Sequence, residues 1–353
     1  MVDNRTYDNN VLSRLRTFGD FNLTVSNGSK DSVGVIFVGN DMGGLPSLKL
    51  LGKTTITADR ALVSEYWEHD GKPIPGQGSD GNIQLGDKDG KYASELTING
   101  TVDDYTGYFV QYKGTKAALN TDTWFGGMAK FYGGTMSAPD AVYDTTVKSP
   151  LGAQPRLYIM GDEVDLTLKG MKIGDLGPTA DGTGRVTVAK MYGGKLNLET
   201  LSIAEGGKFG VNAGTITVTG ESSIAGRLRP TTPEDGDGAS DIITAGQPHS
   251  SATLITKGVF TIENTGILEI NNLTVDGGTF TNLGKINANV RTDGIEPIGH
   301  KISVTNGATF TNSGNVFTNT LTIDGEGTKF VSTNAIRISK EITFLSCYSG
   351  TRG

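Results

Sequence analysis

The residues of this sequence best suited to chemistry are few and scattered. His69, His249 and His300 share no metal-ligand spacing, and the single cysteine, Cys347, cannot supply a thiolate pair, so no zinc site is expected. Glu68 and Asp70 could act as an acid/base pair, but an i, i+2 spacing in a loop specifies no geometry. The stretch Asp80-Gly-Asn-Ile-Gln-Leu-Gly-Asp87-Lys-Asp89-Gly90 offers the hard oxygen ligands that suit Ca²⁺. Its register is wrong for an EF-hand: with Asp87 and Asp89 as first and third ligands, the sixth position is Tyr92 rather than glycine. A solvated turn is the expectation there. No Gly-x-Ser-x-Gly elbow and no glycine-rich phosphate loop leading into a helix occurs. The residues therefore predict no catalytic group, no metal and no cofactor: the chain is not expected to be an enzyme.

The aromatic residues carry a stronger signal. Tyr66 and Trp67 fall in one irregular stretch, and Tyr105, Tyr108, Phe109, Tyr112, Trp124 and Phe125 in another. Exposed tyrosine and tryptophan stack on sugar rings and anchor protein interfaces. Tyr66, Trp67, Tyr105, Tyr108, Tyr112 and Trp124 are the candidate ligand-binding residues. The competing structural reading is that they pack these segments against the body of the fold.

The elements that must position them are announced by a repeat. Leu273-Thr-Val-Asp-Gly-Gly-Thr-Phe280 returns as Ile302-Ser-Val-Thr-Asn-Gly-Ala-Thr-Phe310 and as Leu321-Thr-Ile-Asp-Gly-Glu-Gly-Thr-Lys-Phe330, with an earlier copy at Leu201-Ser-Ile-Ala-Glu-Gly-Gly-Lys-Phe209. Phe260, Phe280, Phe310 and Phe330 are 20, 30 and 20 residues apart, one period with a ten-residue addition in the middle. Within each copy the alternation has period two, β-branched residues dominate, and Gly, Asn and Asp punctuate. Strands this short cannot bury a core alone. About three of them per 20-residue period make one coil of a β-solenoid, stacked so that like residues lie above like. The 51 glycines, about twice the usual share, suit the many corners such a coil needs. The fold class predicted is all-β, a right-handed parallel β-helix of roughly 20-residue coils, with Phe209, Phe260, Phe280, Phe310 and Phe330 turned inward. A β-sandwich is the main competitor, but it has no reason to repeat at this period.

Residues 8–18 read as a short amphipathic capping helix, with Val11, Leu12, Leu15 and Phe18 on one face. The domain organisation expected is a cap over 1–20 and a continuous solenoid over 21–353, interrupted near 66–95, 103–125, 138–156, 229–252 and 288–300 and expected to continue beyond residue 353. Insertions of this kind map to projecting loops, frequently on a binding face. A formal net charge of −7 argues against nucleic acid and anionic membrane surfaces. No apolar run is long enough to span a bilayer, and Met1-Val-Asp-Asn-Arg-Thr is not a secretory signal.

The phrases Gly278-Thr-Phe-Thr-Asn-Leu-Gly-Lys-Ile286 and Ala308-Thr-Phe-Thr-Asn-Ser-Gly-Asn-Val316 resemble the repeats of bacterial autotransporter passenger domains and related β-helical surface adhesins. The resemblance is clear over about 186–345 and faint before it. It implies a structural and adhesive rod on the cell surface, attached to the outer membrane or secreted. Its partners would be host or bacterial surface glycans or proteins, without a small-molecule cofactor. Contact with a membrane would be made only through a barrel absent from this chain. The family's protease-type serine motif is missing, so no catalytic residue carries over. Two other readings stand beside it: a polysaccharide lyase or glycoside hydrolase on a parallel β-helix, and a phage tailspike-like fibre.

Overall fold

The computed structural model describes residues 15–25, 35–38, 48–58, 61–64, 68–69, 72–73, 82–99, 108–120, 123–124, 128–146, 156–175, 189–230, 251–287 and 299–345. Every regular element among them is a β-strand, and most belong to a long parallel sheet of many strands, the pairing of a β-solenoid. The chain divides into two compact units, Met1–Lys169 and Gly170–Gly353.

In the second unit three strand tracks recur in each coil. One stacks Leu228, Leu268, Ile286, Val316 and Ile336. A second stacks Leu196, Ile216, Leu254, Leu273, Ile302, Leu321 and Ile342. The third stacks Ser222, Phe260, Phe280, Phe310 and Phe330. Alternation decides which residues enter the core: in Asn272–Asp276 the buried positions are Leu273 and Val275, and the intervening Thr274 faces outward. The phenylalanine rings stack at centroid distances of 5.3, 4.8 and 4.7 Å. Phe260, Phe280 and Phe310 are fully buried, and Phe330 is half-buried.

Phe209 is also buried, but it is not a rung of that ladder. It pairs with Ala189 on one side and Leu228 on the other, and so belongs to the first track. The early phrase beginning Leu201-Ser-Ile203 lies in the phenylalanine track instead, where Ile203 pairs with Ile224 and Ile224 with Ile262. The copy is therefore out of phase by one strand. The three tracks share one apolar-polar-apolar pattern, so local sequence does not distinguish them.

One polar and one steric feature accompany the ladder. Asn282 donates to Asn312 Oδ1 at 2.7 Å and Asn312 donates to Ser332 Oγ at 2.9 Å, both asparagines being fully buried. A glycine spine lines one corner. A Cβ built on Gly226 would lie 2.3 Å from the Ala204 carbonyl oxygen, on Gly266 2.1 Å from that of Ile224, on Gly284 2.3 Å from that of Glu263, and on Gly314 2.1 Å from that of Gly284. Here the requirement is space rather than backbone torsion, because successive chains pass too close for any side chain.

In the first unit one track stacks Leu15, Leu48, Ile83, Phe109, Ala129 and Leu157. Another stacks Phe21, Thr54, Leu96, Ala117 and Met136. The helical reading of 8–18 fails over its last turn. Leu15–Thr17 is a strand paired in parallel with Leu48–Leu50, and Phe18 is 62% exposed. An open sheet edge offers each backbone group a partner, and that outweighs a weak helical pattern; residues 8–14 lie outside the described residues.

The irregular stretches are also narrower than the sequence suggested. Asn82–Leu85, Tyr108–Gln111 and Lys116–Asn120 are coil strands in register, and Gly134–Asp144 runs well into 138–156. Lys116–Asn120 has no β-branched residue yet keeps the alternation, with Ala117 and Leu119 buried. Of the remaining intervals, 231–250 and 288–298 lie outside the described residues.

Candidate interaction surface

One corner of the first unit gathers exposed apolar side chains. It follows the strands Leu15–Thr17, Leu48–Leu50, Asn82–Leu85, Tyr108–Gln111, Met128–Phe131 and Arg156–Ile159. The next residue in each case is Phe18, Leu51, Gly86, Tyr112, Tyr132 and Met160. Backbone bonds keep them in a column: the N–H of Leu51 donates to Thr17 O, Gly86 to Leu50 O, Tyr112 to Leu85 O, Tyr132 to Gln111 O and Met160 to Phe131 O, all between 2.7 and 3.1 Å. Leu51 is buried, whereas Phe18, Tyr132 and Met160 are 62, 42 and 39% exposed.

Tyr112 and Tyr132 stack at 5.4 Å with planes 12° apart. Their turns are tight: Thr115 Oγ1 donates to Tyr112 O at 2.7 Å, and Gly114 and Gly134 take the left-handed conformation. Gly86 leaves a gap in the column, and Tyr92, from the same turn, sets its ring edge-on to Phe18 at 6.0 Å. The faces that Tyr112 and Tyr132 turn to each other are occupied by the stack. Beyond those faces, the pair carries ring edges and phenol hydroxyls, groups that suit hydrogen bonding as well as apolar contact.

The surrounding turns carry Lys88, Lys91 and Lys113 among Asp20, Asp87, Asp89, Asp162 and Glu163. A mixed field of this kind does not steer a polyanion. Lys91 Nζ lies 5.5 Å from the Tyr92 ring centroid. Asp87 is engaged in its own turn, where Oδ1 accepts the Lys91 N–H at 2.8 Å. Among the described residues no three His, Cys, Asp or Glu side chains come together as a metal site.

Of the six aromatic residues singled out from the sequence, Tyr112 is the one whose side chain is described, and it joins the corner column. Tyr108 and Trp124 lie in strands of known register, Tyr108 opposite Asn82 and Met128 and Trp124 opposite Tyr143, with only their backbone described. Tyr66, Trp67 and Tyr105 lie outside the described residues. Tyr132 and Met160 were missed. The signal for Tyr132 was available, because it follows Tyr112 by 20 residues, one coil.

Other polar groups have local work. His300 is buried with its ring edge-on to Phe317 at 6.2 Å; its backbone N–H donates to Asn319 Oδ1, and its backbone carbonyl accepts from the Thr318 hydroxyl. Burial pushes the Glu269 carboxyl above the usual carboxylate range, with Arg229 and Arg227 opposing. At another corner hydrogen bonding from Asn306 holds Asp276 below that range against its partial desolvation, assisted by Lys257 Nζ at 3.3 Å. No protein-family model matches this chain, and no curated protein or solved structure is significantly similar to it.

Proposed function

We propose that the chain is a stretch of the passenger of an exported bacterial surface protein, a non-enzymatic structural and adhesive scaffold. Its corner aromatics and projecting segments contact glycans or proteins on a host or neighbouring cell. The observation that carries this reading is the in-register stacking of Thr279–Asn282 on Thr309–Asn312, the repeat phrase of such passengers, along a parallel sheet. The aromatic corner column supports it, because neighbouring exposed aromatic and apolar side chains rimmed by charged residues are the composition of binding surfaces.

The test is adhesion of the purified chain to glycan and extracellular-protein arrays, with Tyr112→Ala and Tyr132→Ala compared to wild type. Binding that falls at least tenfold in both variants, with unfolding midpoints near that of the wild type, supports the surface. Binding unchanged in both removes it. Turnover of a polysaccharide, abolished by one Asp or Glu substitution, would replace the adhesive reading with the enzymatic one.

A further inference from the structure

One corner of the second unit holds a dipeptide with chemistry of its own. Asn306-Gly307 is one of three Asn-Gly pairs in the chain, with Asn27-Gly28 and Asn99-Gly100. An asparagine amide is lost most easily before glycine, which has no side chain to keep its backbone nitrogen away from the preceding Cγ. Asn306 and Gly307 are both exposed. They form the centre of a tight turn: the Ala308 N–H donates to Thr305 O at 3.1 Å, and φ is 57° at Asn306 and 74° at Gly307. Two left-handed residues in succession make the turn for which Asn-Gly is the preferred sequence.

Both reacting groups are tied down, one to each neighbouring coil. The nucleophile is the Gly307 nitrogen. Its N–H donates to Thr328 Oγ1 at 3.0 Å in the following coil, and Thr328 in turn donates to Asp324 O at 2.7 Å. The electrophile is Asn306 Cγ. The amide nitrogen on that carbon donates to Asp276 Oδ1 in the preceding coil. Asp276 is itself held by Lys257 Nζ at 3.3 Å and by Thr305 Oγ1 at 3.4 Å. The two groups are thus drawn in opposite directions along the stack, and the turn must open before they meet.

We propose that Asn306 is a deamidation site latched by Asp276 and Thr328, so that its conversion records the opening of this corner and then prevents the corner from closing as before. In the reaction the Gly307 nitrogen bonds to Asn306 Cγ, the Cγ–Nδ2 bond breaks, and ammonia leaves with the proton that Gly307 gave up. Water then opens the cyclic imide at either carbonyl and leaves an aspartate or an isoaspartate at 306. The aspartate sets a second carboxylate where Asp276 now has a donor, and like charges in contact repel. The isoaspartate adds a backbone carbon to a turn whose ends the flanking strands fix. Either product loses the bond to Asp276. The site is independent of what the aromatic corner binds.

The test incubates the full chain at mildly alkaline pH, native and in urea, and reads conversion at Asn306 by peptide mass spectrometry. Conversion is expected to be at least tenfold slower in the native chain than in urea. Thr328→Val and Asp276→Ala are each expected to raise the native rate at least threefold, and Thr328→Ser to leave it near wild type. Amide exchange of 279–282 and 309–312 is expected to stay protected in all three, which separates a released latch from general unfolding. Asn306→Asp is expected to lower the urea midpoint, and adding Asp276→Asn to restore it. Equal rates in the native chain and in urea overturn the proposal. So do wild-type rates in both Thr328→Val and Asp276→Ala, and an acceleration matched by lost protection across those strands. Loss of ammonia that joins Lys257 to Asn306 also overturns it, because the lysine amine would then be the nucleophile. An Asn306→Asp chain as stable as wild type overturns the one-way character of the latch.

Discussion

Replacing Phe310 by alanine tests whether the phenylalanine track is a continuous ladder. Phe310 is fully buried and stacks on Phe280 at 4.8 Å and on Phe330 at 4.7 Å, so its loss removes two ring contacts and leaves a cavity between coils that backbone pairing holds apart. A fully buried Phe→Ala costs about 3–5 kcal/mol, and two stacking partners place Phe310 in the upper half of that range. Phe330 is half-buried with one described stacking partner. Roughly half the burial predicts about 1.5–2.5 kcal/mol for Phe330→Ala. The assay is urea denaturation followed by far-UV circular dichroism, with hydrogen exchange of the amides of 279–282 and 309–312 as the local readout. Because coils contact only their neighbours, the loss of protection should concentrate in those strands. Equal costs for the two variants, or a Phe310→Ala cost below about 1.5 kcal/mol, would refute the ladder as the source of stability.

Three further outcomes follow from the same geometry. Gly284→Ala should destabilise by about 1–3 kcal/mol although nothing polar is lost, because its new methyl meets the Glu263 and Gly266 carbonyl oxygens at 2.3 and 2.4 Å; a neutral effect on the urea midpoint would show that the corner can open. Asn312→Leu should cost about 1–3 kcal/mol by removing the acceptor of the Asn282 amide, and adding Asn282→Leu should recover part of it, read as non-additivity in a double-mutant cycle. Glu269 is held above its ordinary range, so its contribution to stability is fully present below that range and is lost as pH rises through its folded value; Glu269→Gln should flatten the decline in stability above about pH 4, measured as urea midpoint against pH.

The sequence made the period and the strand type legible, and the reason is physical. Phe260, Phe280, Phe310 and Phe330 must stack, so their spacing records the coil length directly. Phase was not legible. Leu201-Ser-Ile203 and Leu273-Thr-Val275 look alike but occupy different tracks, because each track needs only apolar residues at alternate positions. The strand at Leu15–Thr17 was hidden by an accidental helical spacing and revealed by its pairing with Leu48–Leu50. At the candidate surface, composition identified Tyr112 as an aromatic worth notice. Its partner Tyr132 required counting one coil onward to the same corner.

Phe280 and Phe310 stand 30 residues apart, ten more than either neighbouring pair, yet their rings stack as closely as the others. Past Asn287 the chain takes extra length and returns with Lys301 still opposite Asn272. The added length changes no phase, and each doubling of a connection's length costs only about 0.6 kcal/mol in closure entropy. The interval between Asn287 and His300 is therefore a cassette. Foreign sequence placed there would ride on the scaffold as cargo, at a height set by the coil that carries it.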